Sequence, residues 1–323
     1  MTATPTPVKK TGPLLVVSRW FDSWAGMESA EQAASKAAEP QRVEWMRCLP
    51  FLLLHLACFA VLWTGWSWFA VGWAIVLYVV RMFAITGFYH RYFSHRTFKT
   101  SRAAQFCMAL LGAASVQRGP LWWAAHHRRH HRHSDEAVDV HSPKQHGFWW
   151  SHIGWICSKA NFRTHVEEVP DLAKYPELRF LDRFDTLVPA LLLVGAWALG
   201  AGLETWAPEL GVTAWQLLVW TVISTIVLHH GTFTINSLSH VFGSRRFQTS
   251  DTSRNNPLLA VITLGEGWHN NHHHHYPMTA RQGFYWWEYD LTWYGLVVLS
   301  WLGIVWDLRP VPTHVLQMRR VRR

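Results

Sequence analysis

From Leu49 to Val80 the chain holds no Asp, Glu, Lys or Arg, and this run limits the fold more than any other feature. A hydrocarbon layer about 30 Å thick takes about 20 apolar residues to cross as helix. The run breaks at Thr64-Gly65, which reads as a tight turn joining a span over about 49–64 to a second over 68–89. A second pair follows at 187–203 and 214–235, joined by a short segment holding Glu204 and Glu209. Two shorter apolar stretches, 103–116 and 293–306, are too short to cross and read as interfacial or buried helices. Arg81, inside the second span, is expected to snorkel toward the interface.

The 30 basic residues sort around these spans: six lie in 1–47, fifteen in 81–183 and nine in 245–323. By the positive-inside rule both termini and the central segment are cytosolic. The formal charge of +9 is therefore a topology signal, and nucleic acid is not an expected partner. The expected fold is all-α and integral to the membrane: a polar tail over 1–47 with one amphipathic stretch, a membrane domain over 48–308 with a cytosolic helical cap, and a basic tail over 309–323.

Histidine is the second unusual feature, with 21 copies. They concentrate in His90-Arg-Tyr-Phe-Ser-His95, in His127-Arg-Arg-His130-His131 and in His269-Asn-Asn-His272-His273. At 3.6 residues per turn, positions i, i+3 and i+4 share a helix face, so each HxxHH triplet aims imidazoles at one side. In the run 126–133 only a start at His127 completes the pattern, and in 269–275 only a start at His269. His126, His133, His274 and His275 fall outside it, as neighbours of the site or solvated side chains. Eight imidazoles exceed the needs of one metal, so a two-metal site is the economical reading. Imidazole suits Fe, Zn and Cu alike, which leaves the metal open. Asn236 and His240, a turn apart at the mouth of the fourth span, add one candidate more. His55, His229 and His230 read as structural polar groups within spans.

Gly87-Phe-Tyr-His-Arg-Tyr-Phe-Ser-His-Arg, Trp123-Ala-Ala-His-His-Arg-Arg-His-His and Gly265-Glu-Gly-Trp-His-Asn-Asn-His-His resemble the three histidine boxes of membrane acyl-CoA Δ9 desaturases of the stearoyl-CoA type. Asp139-Val-His-Ser and Gly147-Phe-Trp-Trp-Ser-His-Ile-Gly-Trp extend the resemblance, which covers about residues 48–308. It implies a diiron centre with His90, His95, His127, His130, His131, His240, His269, His272 and His273 as ligands, and Asn236 reaching one iron through water. It implies an oxidoreductase that uses O2 to place a cis double bond in a saturated long-chain acyl-CoA held in a bent tunnel. Gln117 and Trp123 then shape the bend, Tyr78 and Met82 its closed end. Arg118 and Arg128 are the foremost cations for the headgroup, with others such as Lys159, Arg163 and Arg245 available.

No haem-binding segment follows the third box and no cysteine set suits an iron–sulfur cluster. Electrons are therefore expected from a separate ferredoxin, rubredoxin or cytochrome b5 with its reductase, in an enzyme of the bacterial inner membrane. Three rivals share parts of the pattern. An acyl-lipid desaturase differs in the acyl carrier. A membrane diiron hydroxylase would insert oxygen. A metal transporter would place its ligands near the bilayer midplane, whereas these lie at span ends.

Overall fold

The computed structural model describes residues 12–27, 40–276 and 278–317. About half of the expected N-terminal tail and the end of the C-terminal one lie outside the described residues. Among the described residues four helices are long and apolar enough to cross a membrane: α1 (Trp45–Thr64), α2 (Trp68–Ser94), α6 (Leu187–Trp206) and α7 (Ala214–Val241). Between and after them come α3 (Arg102–Ala113), α4 (Pro120–His133), α5 (Pro176–Arg183), α8 (His269–His275) and α9 (Leu291–Trp301). The one sheet among the described residues pairs Lys99–Thr100 antiparallel with Val305–Trp306.

Local chemistry sets the boundaries. Gly65 takes a left-handed φ of +68° that an L side chain resists, so the α1–α2 turn falls there. Ser67 then caps α2 by accepting a hydrogen bond from the Ala70 amide at 3.1 Å, and Thr213 caps α7 in the same way from Gln216. The helices overrun the expected spans. The first begins four residues early, and α2 continues past 89 through an eleven-residue π-helical stretch, Ala84–Ser94, fully buried in the cap. Its wider turn re-aims side chains in a way that 3.6-residue periodicity does not anticipate.

Burial separates the four long helices. Only 6% of the most apolar window of α1 is buried, against 50% of that of α7. The first is peripheral and the last is the axis on which α2 and α6 pack. Arg81 departs from the expectation that it snorkels: it is 2% exposed and donates to Thr225 Oγ1 at 2.6 Å, Ser224 Oγ at 2.8 Å and the Leu77 carbonyl at 3.1 Å. The hydroxyls of α7 lie at the same depth, so the guanidinium finds partners without reaching for water. The cap packs on Tyr89, Phe93, Leu121, Leu172 and Leu178, beneath which the histidine-bearing helices converge.

Candidate metal centre

Two helices supply most of the imidazoles. Pro120 starts α4 at a position where a missing amide costs nothing, and α8 begins directly at His269. Each carries an i, i+3, i+4 triplet, and each splits it. His127 and His131 of α4 join His90, His95 and His272; His130 joins His240, His269 and His273 of α8. Within each group the candidate ligand atoms all lie within 4.8 Å of one another. The sequence reading aimed each triplet at one side. The structure instead sends the i, i+4 pair to one group and the middle residue to the other, in opposite senses on the two helices.

In the first group the Nε2 atoms face inward: His90 to His272 at 3.0 Å, His272 to His131 at 2.9 Å, His131 to His127 at 3.0 Å, and His127 to His95 at 2.9 Å. In the second, His269 Nε2 meets His240 Nε2 at 3.1 Å, and His273 Nε2 is buried with no hydrogen-bond partner among the described residues.

Four of the outward nitrogens face acids, while Nδ1 of His131 and of His269 is buried with no hydrogen-bond partner among the described residues. His90 Nδ1 lies 2.5 Å from Glu266, His130 Nδ1 3.0 Å from Asp139, and His273 Nδ1 2.5 Å from Asp251. His240 Nδ1 lies 3.3 Å from Thr252 Oγ1 and 3.6 Å from Asp135. An Nδ1–H donated outward leaves Nε2 as a bare lone pair, and several such lone pairs converging in a buried space suit a cation. Burial, reinforced by neighbouring imidazoles, lowers the pKa of His95, His127, His131, His269 and His272; for His273 it brings the value down to about 4. All six are held neutral, the ligating form. Burial also opposes charge on His130, but Asp139 outweighs it and raises that pKa.

The acids were not among the residues expected to form the site, although Glu266 and Asp139 lie in segments that carried the resemblance. Asp135 and Asp251 stood in no motif. Gly265, at φ +127°, sits so close to Asp290 that a Cβ would fall 2.5 Å from its carboxylate, and this close approach sets Glu266 in place. The buried Arg91 guanidinium then ties Glu266 to Asp290.

Both groups open on one cavity of about 900 Å³, which His90, His127, His269 and Asn236 help to line. Its wall is apolar apart from a few groups. Met82, Gln117, Arg118 and Trp123 stand on it. Gln117 is presented between two left-handed residues, Val116 (φ +59°) and Arg118 (φ +69°), and donates to Thr232 Oγ1 at 2.8 Å. Trp123 stacks on His127 with centroids 4.9 Å apart. Tyr78 stands just behind Met82 and donates to the Ile262 carbonyl at 2.7 Å. Arg128 is not on this wall; it pairs with Asp171 at 2.6 Å and bonds the Phe93 and Ser94 carbonyls, clamping α4 to the end of α2.

Among the remaining histidines His141 lies against the second group, its Nδ1 3.4 Å from the Asp139 that also holds His130, and those that follow stay apart from both groups. His126 lies against Trp122, His133 bonds Glu136, His274 stacks on Phe247 and His275 lies near His314. Within the spans, His229 bonds the Ser115 carbonyl, and His230 bridges His55 and His152.

A family profile described as fatty acid desaturase matches residues 66–300. The sn-1 stearoyl-lipid 9-desaturase of Anabaena variabilis is 37% identical over 277 residues, covering 84% of this chain and 96% of that protein. The Delta-9 acyl-lipid desaturase 1 of Arabidopsis thaliana is 34% identical over 87% of this chain and 89% of its own length. An acyl-CoA 5-desaturase of Anemone leveillei is 35% identical over 81% and 78%.

Proposed function

Because this chain belongs to the fatty acid desaturase family, we propose that it is the O2-dependent diiron member that places a cis double bond at carbon 9 of a saturated long-chain acyl group carried by a membrane lipid. The observation that carries the reading is the pair of imidazole clusters opening side by side on a single apolar cavity. His90, His95, His127, His131 and His272 would hold one iron; His130, His240, His269 and His273 the other, with Asn236 reaching it through water. When bound, the irons would supply the redox chemistry of desaturation, in which one hydrogen leaves each of two adjacent methylenes and O2, with two electrons from the separate donor and two protons, ends as two waters.

The chain's own residues position and exclude. All methylenes of a saturated chain are chemically alike, so which pair reacts depends on where the chain is held. Gln117 and Trp123 set the bend beside His90 and His127, and Met82, backed by Tyr78, closes the far end. Glu266, Asp139 and Asp251 keep protons on Nδ1, so that Nε2 stays a ligand. Buried aromatic walls keep bulk water from the reacting carbons.

The favoured carrier is a lipid, supported by the relatives named as acyl-lipid desaturases. Acyl-CoA, the carrier implied by the histidine boxes, is the second reading, supported by the Anemone acyl-CoA 5-desaturase. The distribution of basic residues supports a centre on the cytosolic face, where a separate ferredoxin, rubredoxin or cytochrome b5 would deliver electrons. Lipid analysis of a host expressing the chain beside a His130→Ala variant tests the reading. New monounsaturated acyl chains should appear only with the unaltered protein, and hydroxylated chains would move it to a hydroxylase.

A further inference from the structure

Resting on the desaturase reading and deepening it, the geometry points to a phosphate-binding site at the cavity mouth, built on Arg47 with Arg19 and Arg118, that seats the phosphate of the substrate's headgroup. One end of the cavity is closed at Met82 and Thr263; the other emerges among Phe21, Phe180 and Leu187, which are 69%, 49% and 40% exposed. Arg47 lies in the first turn of α1 and Leu187 is the first residue of α6. The mouth therefore sits where two apolar helices begin, at the level of lipid headgroups. A lipid phosphate can stay at that depth while its acyl chain turns into the protein.

Three guanidiniums line this mouth against one carboxylate, Asp185. Arg118 is committed to the Phe162 carbonyl at 2.9 Å and to Asp185 at 3.3 Å. Arg19 donates to the Ala25 and Gly26 carbonyls. Arg118 also keeps a buried Nε without a partner; Arg47 has neither a carbonyl nor a carboxylate contact among the described residues, its guanidinium lying over the Phe162 ring at 4.1 Å with Nη2 buried and unpartnered. Burying a charged donor unpaired is costly, and a planar guanidinium on an aromatic face is suited to a phosphate oxygen. Arg19 and Arg118 add field without needing to release their own partners.

The test uses the full chain in nanodiscs, with Arg47→Gln and the charge-keeping Arg47→Lys, both checked for unchanged Tm. Native mass spectrometry reads the lipid retained after extraction. The unaltered chain should hold phosphatidylglycerol about tenfold better than Arg47→Gln, the loss of one charge-assisted hydrogen bond, with Arg47→Lys between them. Monogalactosyldiacylglycerol, which has no phosphate, should be retained equally by all three. In turnover, Arg47→Gln should raise KM for stearoyl-phosphatidylglycerol about tenfold and leave kcat within about twofold. A KM rise confined to stearoyl-CoA would keep the site and assign its phosphate to CoA. Equal phosphatidylglycerol retention with no KM change for either substrate overturns the site while leaving the desaturase reading intact. Absence of unsaturated product from every substrate with the unaltered chain would instead overturn that reading.

Discussion

The two imidazole clusters are built from the same helices yet are supported differently. The five-histidine group around His95 has one carboxylate behind it, Glu266, whose charge is shared with Arg91. The four-histidine group around His269 has three: Asp139 behind His130, Asp251 behind His273 and Asp135 behind His240. All three carboxyls are held well below the usual carboxylate range: against the cost of burial, each is kept ionised by the histidine it faces. More imidazoles on one side and more anionic support on the other is a division of labour. The smaller group should grip its metal more tightly and resist its reduction more, because its ligands are more basic.

The largest effect expected is from ligand loss. His130→Ala should abolish unsaturated product and empty the four-histidine group, whereas His95→Ala, with four imidazoles left beside it, should keep more iron; metal analysis of both variants compares the groups directly. Next come the supporting acids. Asp251→Asn should weaken iron retention about ten- to a hundredfold and Glu266→Gln nearer the lower figure, since Arg91 and Gln282 still surround that site. The reverse order in a chelator competition would refute the asymmetry.

A smaller effect follows from protonation. The histidines with lowered pKa are neutral in the fold but bind protons near pH 6.5 when unfolded. The unfolded chain therefore takes up more protons, and stability falls as pH drops below about 6.5, opposed only in part by His130. Tm of the chelator-treated protein should decline between about pH 7.5 and 5.5, and a flat profile would count against neutral imidazoles. Last, Met82→Ala should leave iron content in both groups untouched and move the product profile toward longer chains; an unchanged profile would remove Met82 from the closed end.

Much of this was legible in sequence because it depends on local periodicity. The charge-free runs marked the long helices, and testing the register of the triplets separated His127, His130 and His131 from His126 and His133. What was not legible depends on tertiary contact. No local signal marks the π-helical stretch that carries His90, and none distinguishes the two directions in which a triplet divides. The partners of Arg81 come from α7, more than 140 residues away, so periodicity alone favoured the interface. Asp135 and Asp251 acquire meaning only when their loops fold over His240 and His273. Arg128 reads in sequence as a headgroup cation, whereas its guanidinium is engaged by Asp171 and by the Phe93 and Ser94 carbonyls across the fold.

On the proposed reading, two metal ions sit in two distinct imidazole clusters on one acyl cavity. Iron analysis with Mössbauer spectroscopy of the purified full-length chain tests it most directly. Two irons per chain in two inequivalent environments are expected, with His269→Ala selectively depleting one of the two signals. A single iron environment, or one iron per chain in active protein, would contradict it.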